Sequence, residues 1–426
     1  GAGGTTLGAN TLTIGDATNT SATYAGVASG TGGITKAGTG TLTLSGANTY
    51  TGATAVNAGT LTLGASSVIA DASAVTVASG ATFNLAGFSD TVASINNAGA
   101  LTMGTGATLT TTGSQTHTGT VTGNNVGLAS SGGGSITATN ALNDFTGTLT
   151  LNGLNATIVD ANTLDLGAST LTGYLDVTAG DAITQTGLLN ITGNLWAKST
   201  TGNIDLYSLG MNTLGGTVSL IALPTKDIKL WANLIKVGTE RPSDGSTALV
   251  DTGIQAATVT IKAPFVGAIQ TGIQADGLQG VITAAQPFGT TAALTIDANG
   301  VIGNPATASP TTEGLRVLTS GLVVVIGSSA SDGTIMLVGP DAVQPRYEFS
   351  GQLGKRSVKY NGVEATNAQL TGALDAAYLD IRNATIEIRE SGFAKENANK
   401  VLRRGVVTSA GPGQPAVDDS TGTLGS

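Results

Sequence analysis

The sequence predicts an all-β chain: a right-handed parallel β-helix (β-solenoid) over residues 1–340, followed by a small, partly helical C-terminal segment over residues 341–426. Three observations predict it. Short strings that alternate Thr with an aliphatic residue recur along the chain. Gly, Asn, Asp and Ser follow most of them. Charge and aromatic rings are scarce: 11% of the 426 residues are charged and 4% aromatic, yet 40% are hydrophobic, and Gly alone supplies 63.

The strings define the strands. Thr41–Leu44 and Thr60–Leu63 both read TLTL, and Thr148–Leu151 repeats it. Thr11–Ile14 (TLTI), Thr163–Leu166 (TLDL), Thr217–Leu220 (TVSL), Thr258–Ile261 (TVTI) and Ala293–Ile296 (ALTI) are variants. Alternation with period 2 is the mark of a strand with one buried face, so Thr is expected to face water and Leu, Ile or Val the interior. The intervening Gly, Asn, Asp and Ser supply turns, Gly and Asn because they tolerate positive φ. Strand starts lie 11 to 20 residues apart, a spacing expected of stacked coils. An antiparallel sandwich would want hairpin signals and a finite set of strands. A narrow interior of Ala, Val, Leu and Ile suits the β-helix instead.

Composition excludes several functions. A net charge of −9 argues against a nucleic-acid partner, which needs a basic face. No run of about 18 apolar residues is present to span a membrane as a helix. Cys is absent, so no disulfide framework exists. With no initiator Met and no signal peptide at Gly1, the chain is expected to be a piece of a longer one.

Character changes along the chain. Residues 1–150 hold five charged residues, Asp16, Lys36, Asp71, Asp90 and Asp144, whereas residues 341–426 hold twenty, ten of each sign. After Gly339–Pro345 the strand pattern breaks. Leu374, Ile381 and Ile388, each preceded four positions earlier by Leu370, Ala377 and Ala384, form a helical stripe, and Ala394–Arg404 reads as a second short helix, placing helix near 370–404. Thr385–Glu390 (TIEIRE) also alternates like a strand, which leaves the helix end open. The tail from Ser409 is loop-like. Its pinning by a neighbouring copy would make the C-terminal segment an inter-subunit joint, and repetition of that head-to-tail contact would give an open fibre.

Reactive chemistry is sparse. His117 is the sole histidine and is expected on a Thr-rich surface; with no Cys it makes no zinc site, and no GxSxG elbow accompanies it. Asp205, Asp227 and Asp251, with Lys226, Lys229, Lys236 and Arg241 nearby, are the carboxylates to check for glycosidic chemistry, against the reading that they are solvated turn residues. No dense GGxGxD array offers calcium ligands, and no phosphate-binding loop leads a strand into a helix. Thr rows on a flat face suit carbohydrate hydroxyls or an ice lattice, and Tyr24 and Tyr50 suit stacking on sugars or sheltering a coil edge. No catalytic, cofactor-binding or metal-binding residue is assigned, and no cofactor is expected.

Ala37–Gly64, AGTGTLTLSGANTYTGATAVNAGTLTLG, resembles the autotransporter-associated β-strand repeat of secreted passengers, as do Gly30–Gly40 and Ala81–Ile95. Tyr174–Leu206 and Leu294–Pro305 resemble filamentous-haemagglutinin-type exoprotein repeats. Together these cover roughly residues 1–340, and nothing resembles the family's membrane barrel with its aromatic girdles. The resemblance implies a non-enzymatic secreted protein of the bacterial outer cell surface, a structural or adhesive rod exported through an outer-membrane translocator. Its expected partners are further copies of itself, and carbohydrate or a host or neighbouring cell surface. A monomeric adhesin stalk and a β-helical carbohydrate-active enzyme are the alternatives.

Overall fold

The computed structural model describes residues 3–15, 20–233, 235–238, 241–245 and 253–263, and then strands at 266–268, 281–284, 292–298, 315–318, 322–327, 334–338, 346–351, 358–360, 363–364 and 385–388. The chain divides into two compact units, Gly1–Gly193 and Asn194–Ser426. Both are parallel β-solenoids, and no helix occurs among the described residues.

In the first unit every coil contributes a strand to each of two parallel sheets. One sheet runs through Leu12–Ile14, Ile34–Lys36, Thr54–Val56, Ala74–Val77, Ser94–Asn97, Gln115–His117, Ile136–Ala138, Ala156–Asp160 and Leu175–Ala179. The other runs through Ala22–Tyr24, Thr41–Leu44, Thr60–Leu63, Thr82–Asn84, Ala100–Thr105, Thr120–Ser130, Asp144–Gly153, Leu164–Leu166 and Ile183–Gln185. Partner residues lie about 20 apart in sequence, one coil.

The first two coils carry a third strand, Thr5–Gly8 paired with Ala28–Gly30, and coils after Ala74 add one again, first Asp90–Val92 and then Thr108–Thr111. In the next two coils the second and third strands merge into Thr120–Ser130 and Asp144–Gly153, of 11 and 10 residues. They part again as Leu164–Leu166 and Ser169–Leu171.

The alternation read in the sequence sets which side is inside. Thr41–Leu44 and Thr60–Leu63 bury both leucines and turn both threonines outward. Leu42, Leu61, Phe83, Leu101 and Val121 then stack in register, each at most 1% exposed. Burying each such side chain stabilises the stack by about 1.5–3 kcal/mol. On the outside, Thr13, Thr35, Thr76, Thr116, Thr137 and Thr157 share one register line, interrupted by Ala55 and Asn96. Turns stack as tightly as strands. A Cβ on Gly119 would sit 1.8 Å from the Gly99 carbonyl oxygen, so only glycine fits between these coils.

Asparagine acts differently from the expectation that it serves turns through positive φ. Among the described residues only Asn125 does so. Asn48, Asn97, Asn143 and Asn212 are buried instead, and their amides donate to backbone carbonyls of neighbouring coils. Asn143 accepts from Val121 N at 2.7 Å and donates to Ala138 O and Val159 O at 3.0 Å, joining three successive coils. Asn48 joins Ala28, Gly46 and Val68 in the same way.

The second unit repeats the plan. Leu195–Ser199, Val218–Ile221, Ile254–Ala256, Val281–Ala284, Leu315–Leu318 and Thr334–Val338 form one parallel series. Ile204–Leu206, Asp227–Trp231, Thr258–Ala263, Ala292–Ala298, Leu322–Gly327 and Arg346–Gly351 form the other. Thr385–Ile388, where the sequence left helix and strand open, is a strand parallel to Thr334–Val338 and Val358–Tyr360. The rest of the helix expected near 370–404, and the tail from Ser409, lie outside the described residues.

Candidate functional site

The first unit carries a groove where its coils change length. Residues 144–147 pair with the preceding coil through Thr122↔Asp144 and Asn124↔Thr146. Pairing with the following coil begins only at Thr148↔Asp165, because that coil turns at Ala161–Thr163. The step leaves an open depression of about 530 Å³ between Thr146 and Gly147 on one side and Asn162 and Thr163 on the other. Gly147 adopts φ +73°, and a Cβ there would lie 2.5 Å from Asn125 Oδ1, the atom that accepts from Thr148 N.

Asp165 is the one carboxylate in the lining, and threonines surround it. Its Oδ2 accepts from Thr186 Oγ1 at 2.9 Å and Thr148 Oγ1 at 3.2 Å; its Oδ1 accepts from Thr184 Oγ1 at 3.2 Å. Thr148 and Thr186 also lie 3.0 Å apart through their hydroxyls. Asn162 Nδ2 donates to Asp144, and Thr163 Oγ1 to Asp181, so two further carboxylates lie at the rim. The arrangement holds hydroxyls and one carboxylate at fixed spacing, suited to hydrogen bonding and without a nucleophile–base pair. Among the described residues no three His, Asp or Glu side chains gather as metal ligands.

The strongly perturbed titratable groups lie inside the coils instead. Burial raises Asp90 to about 6, against the backbone amides of Ile69, Val68 and Thr91 that hold its charge. Asp160 is raised to about 6, again by burial; Oδ1 accepts from Phe145 N, and Oδ2 is buried without a partner. Burial lowers Lys36, whose Nζ donates to Ala37 O, Gly38 O and Ala58 O.

His117 corrects the surface placement expected of it. It is fully buried, and burial lowers its pKa to about 4. Gln115–His117 turns Thr116 outward, so Gln115 and His117 fall on the inner side, Nε2 lying 3.3 Å from Gln115 Oε1 and Nδ1 having no partner. The strand contains no aliphatic residue, so alternation could not tell its faces apart.

Of the carboxylates singled out in the sequence, Asp205 and Asp227 lie on adjacent coils of the second unit. Asp205 stands opposite Lys229 and accepts from Ser208 Oγ at 3.0 Å. Asp227, on the neighbouring coil, accepts from Thr258 Oγ1 at 2.6 Å. Arg241 lies 3.9 Å over the Trp196 ring. Asp251 and the side chain of Lys236 lie outside the described residues. Tyr50 is fully buried, its hydroxyl joined to Thr54 and through it to Ser73, so it presents no face to a sugar. Tyr24 is half-buried with its ring against Gly26. The groove residues had been visible only as strand and turn surface.

Comparison with known proteins agrees with this architecture. Residues 34–63 match the passenger-associated transport repeat family, and residues 153–221 match a family described only as repeats of unknown function. The chain is 54% identical over 121 residues to the adhesin BmaC autotransporter of Brucella suis biovar 1 (strain 1330). That segment is 28% of this chain and 4% of the relative's own length. No solved structure matches the chain significantly. The similarity to autotransporter passengers therefore rests on a transport repeat, an adhesin relative and a parallel β-solenoid together.

Proposed function

We propose that this chain is part of a secreted, non-enzymatic autotransporter passenger, a β-solenoid stalk that carries adhesive surface on the outside of a bacterial cell. The observation that carries this reading is the passenger transport repeat at residues 34–63, which falls on regular coils of the solenoid. The adhesin relative supports it, as does an outer surface of stacked threonines with little titratable chemistry. Export runs through an outer-membrane translocator, and the contacted partner is a carbohydrate or protein of a neighbouring surface. The head-to-tail fibre expected from the C-terminal segment rests on residues outside the described ones and is not carried into the proposal. A carbohydrate-active enzyme, the alternative reading, would need a second carboxylate to act with Asp165 on a sugar in the groove.

Antibodies against this chain, applied to intact and to permeabilised producing cells, test the reading. Labelling of intact cells that external protease removes, together with lower attachment to host-cell layers after deletion of the coding region, is the expected result. Labelling confined to permeabilised cells would refute it.

A further inference from the structure

We propose that the groove at Asp165 binds an amino-sugar unit of a glycan, with its ammonium on the Asp165 carboxylate and its ring hydroxyls donating to the threonine oxygens. The argument is a count of hydrogens. Thr148, Thr184 and Thr186 each have one hydroxyl hydrogen, and each has an acceptor within the cluster. What the cluster offers outward is therefore lone pairs, and a carboxylate has about four acceptor positions, of which three are filled here. A ligand that only accepts finds no spare hydroxyl hydrogen in this cluster. A ligand rich in donors finds an ordered set of oxygens.

Charge selects among donors. No Lys or Arg lines the groove, and Asp144 and Asp181 stand at its rim. Lys36 is the only Lys or Arg in residues 1–193, and it is buried. The local field favours a cation and repels uronic and sialic acids.

Geometry selects among cations. The depression is about 530 Å³ and is lined by Thr146, Thr163, Thr184 and Thr186 beside Asp165, which leaves room and oxygens for a ring next to the carboxylate. A lysine side chain concentrates its donors at one tip. An amino sugar spreads an ammonium and several hydroxyls over a ring, and its neighbours in the chain continue the row. No aromatic ring lines the groove to stack on a sugar, so a single unit binds weakly, with Kd on the order of 1 mM.

Titration of the purified full chain by calorimetry tests the site, and it does so whether or not the protein proves to be surface-displayed. The probes are a glucosamine tetramer, its fully N-acetylated counterpart, a uronic-acid tetramer and trilysine. The glucosamine tetramer is expected to bind and to weaken with added salt, at least tenfold more tightly than the other three. Asp165→Asn should weaken it at least tenfold. Asn162→Lys, a change at an exposed lining residue that leaves the core untouched, should abolish it. Circular dichroism and urea midpoints confirm that both variants fold. Equal binding by wild type and Asn162→Lys, equal binding of the N-acetylated tetramer or trilysine, or no binding up to roughly 20 mM would each overturn the proposal.

Discussion

Replacing Asn143 by Ala removes the only side chain that bonds Val121 N, and with it the bonds to Ala138 O and Val159 O. The site is fully buried, so water does not take over. A hydrogen bond is worth about 1 kcal/mol net, but a buried polar group left alone costs about 1–3 kcal/mol. One stranded amide plus two weakened carbonyls therefore amount to about 3–5 kcal/mol. Stacked coils open locally, so one global unfolding energy is a poor readout. Amide exchange followed by peptide mass spectrometry reads the coil directly. Exchange over residues 118–160 should accelerate about 100-fold or more, since each 1.4 kcal/mol is tenfold, while residues 40–64 stay unchanged. Asn143→Asp sharpens the test: it keeps the acceptor for Val121 N but sets a carboxylate against two carbonyls, so it should be more damaging at pH 7 than at pH 4, where protonation restores one donor. Asn140→Ala is the control, because Asn140 is half-buried at the turn and bonds Thr118 O and Leu142 N near the surface. Less than tenfold acceleration in Asn143→Ala, or the same acceleration in Asn140→Ala, would refute the role assigned to the buried asparagines.

Three further outcomes follow from the same coils. Asp160, raised to about 6 from 3.8, contributes stability that is full below about pH 4 and is lost as pH rises through 6, so Asp160→Asn should be more stable than wild type at pH 7.5 by about 1–3 kcal/mol and level with it near pH 4, by amide exchange over residues 144–161. His117 has the opposite sign: lowered to about 4, it contributes stability above pH 6.5 that is lost as pH falls toward 4, and His117→Leu should remove that acid-side loss in thermal melts taken between pH 7 and 4. Gly119→Ala should cost about 1–3 kcal/mol through overpacking against Gly99, whereas Gly3→Ala, whose Cβ meets nothing within 4 Å, should be neutral in the same melts.

The residues announce some elements of this fold and conceal others. Thr41–Leu44 and Thr60–Leu63 are strands as read, because Leu and Thr differ enough in transfer energy to fix which face is buried. Thr148–Leu151 is also a strand, but inside the longer Asp144–Gly153, whose length comes from merging two strands that other coils keep apart. Gln115–His117 is silent to alternation because all three residues are polar; its sidedness comes from the register with Ser94–Asn97 and Ile136–Ala138. The asparagines were legible as turn residues but not as core residues, since their burial depends on carbonyls and amides brought close by the neighbouring coils.

The groove was the least legible feature, and the reason is physical. Thr148, Asp165 and Thr184 are unremarkable strand residues and Thr186 directly follows a strand; they are scattered over 39 positions, and no motif links them. They meet because Asp144–Gly153 is followed by a coil that turns earlier, so pairing starts at Thr148 and leaves residues 144–147 without a strand partner on that side. A repeat reading captures what successive coils share. The groove depends on where two successive coils differ, and that difference becomes visible only once the register is known. Sequence changes that lengthen or shorten the coil after Asp144–Gly153 should therefore alter binding at Asp165 even when every lining residue is retained.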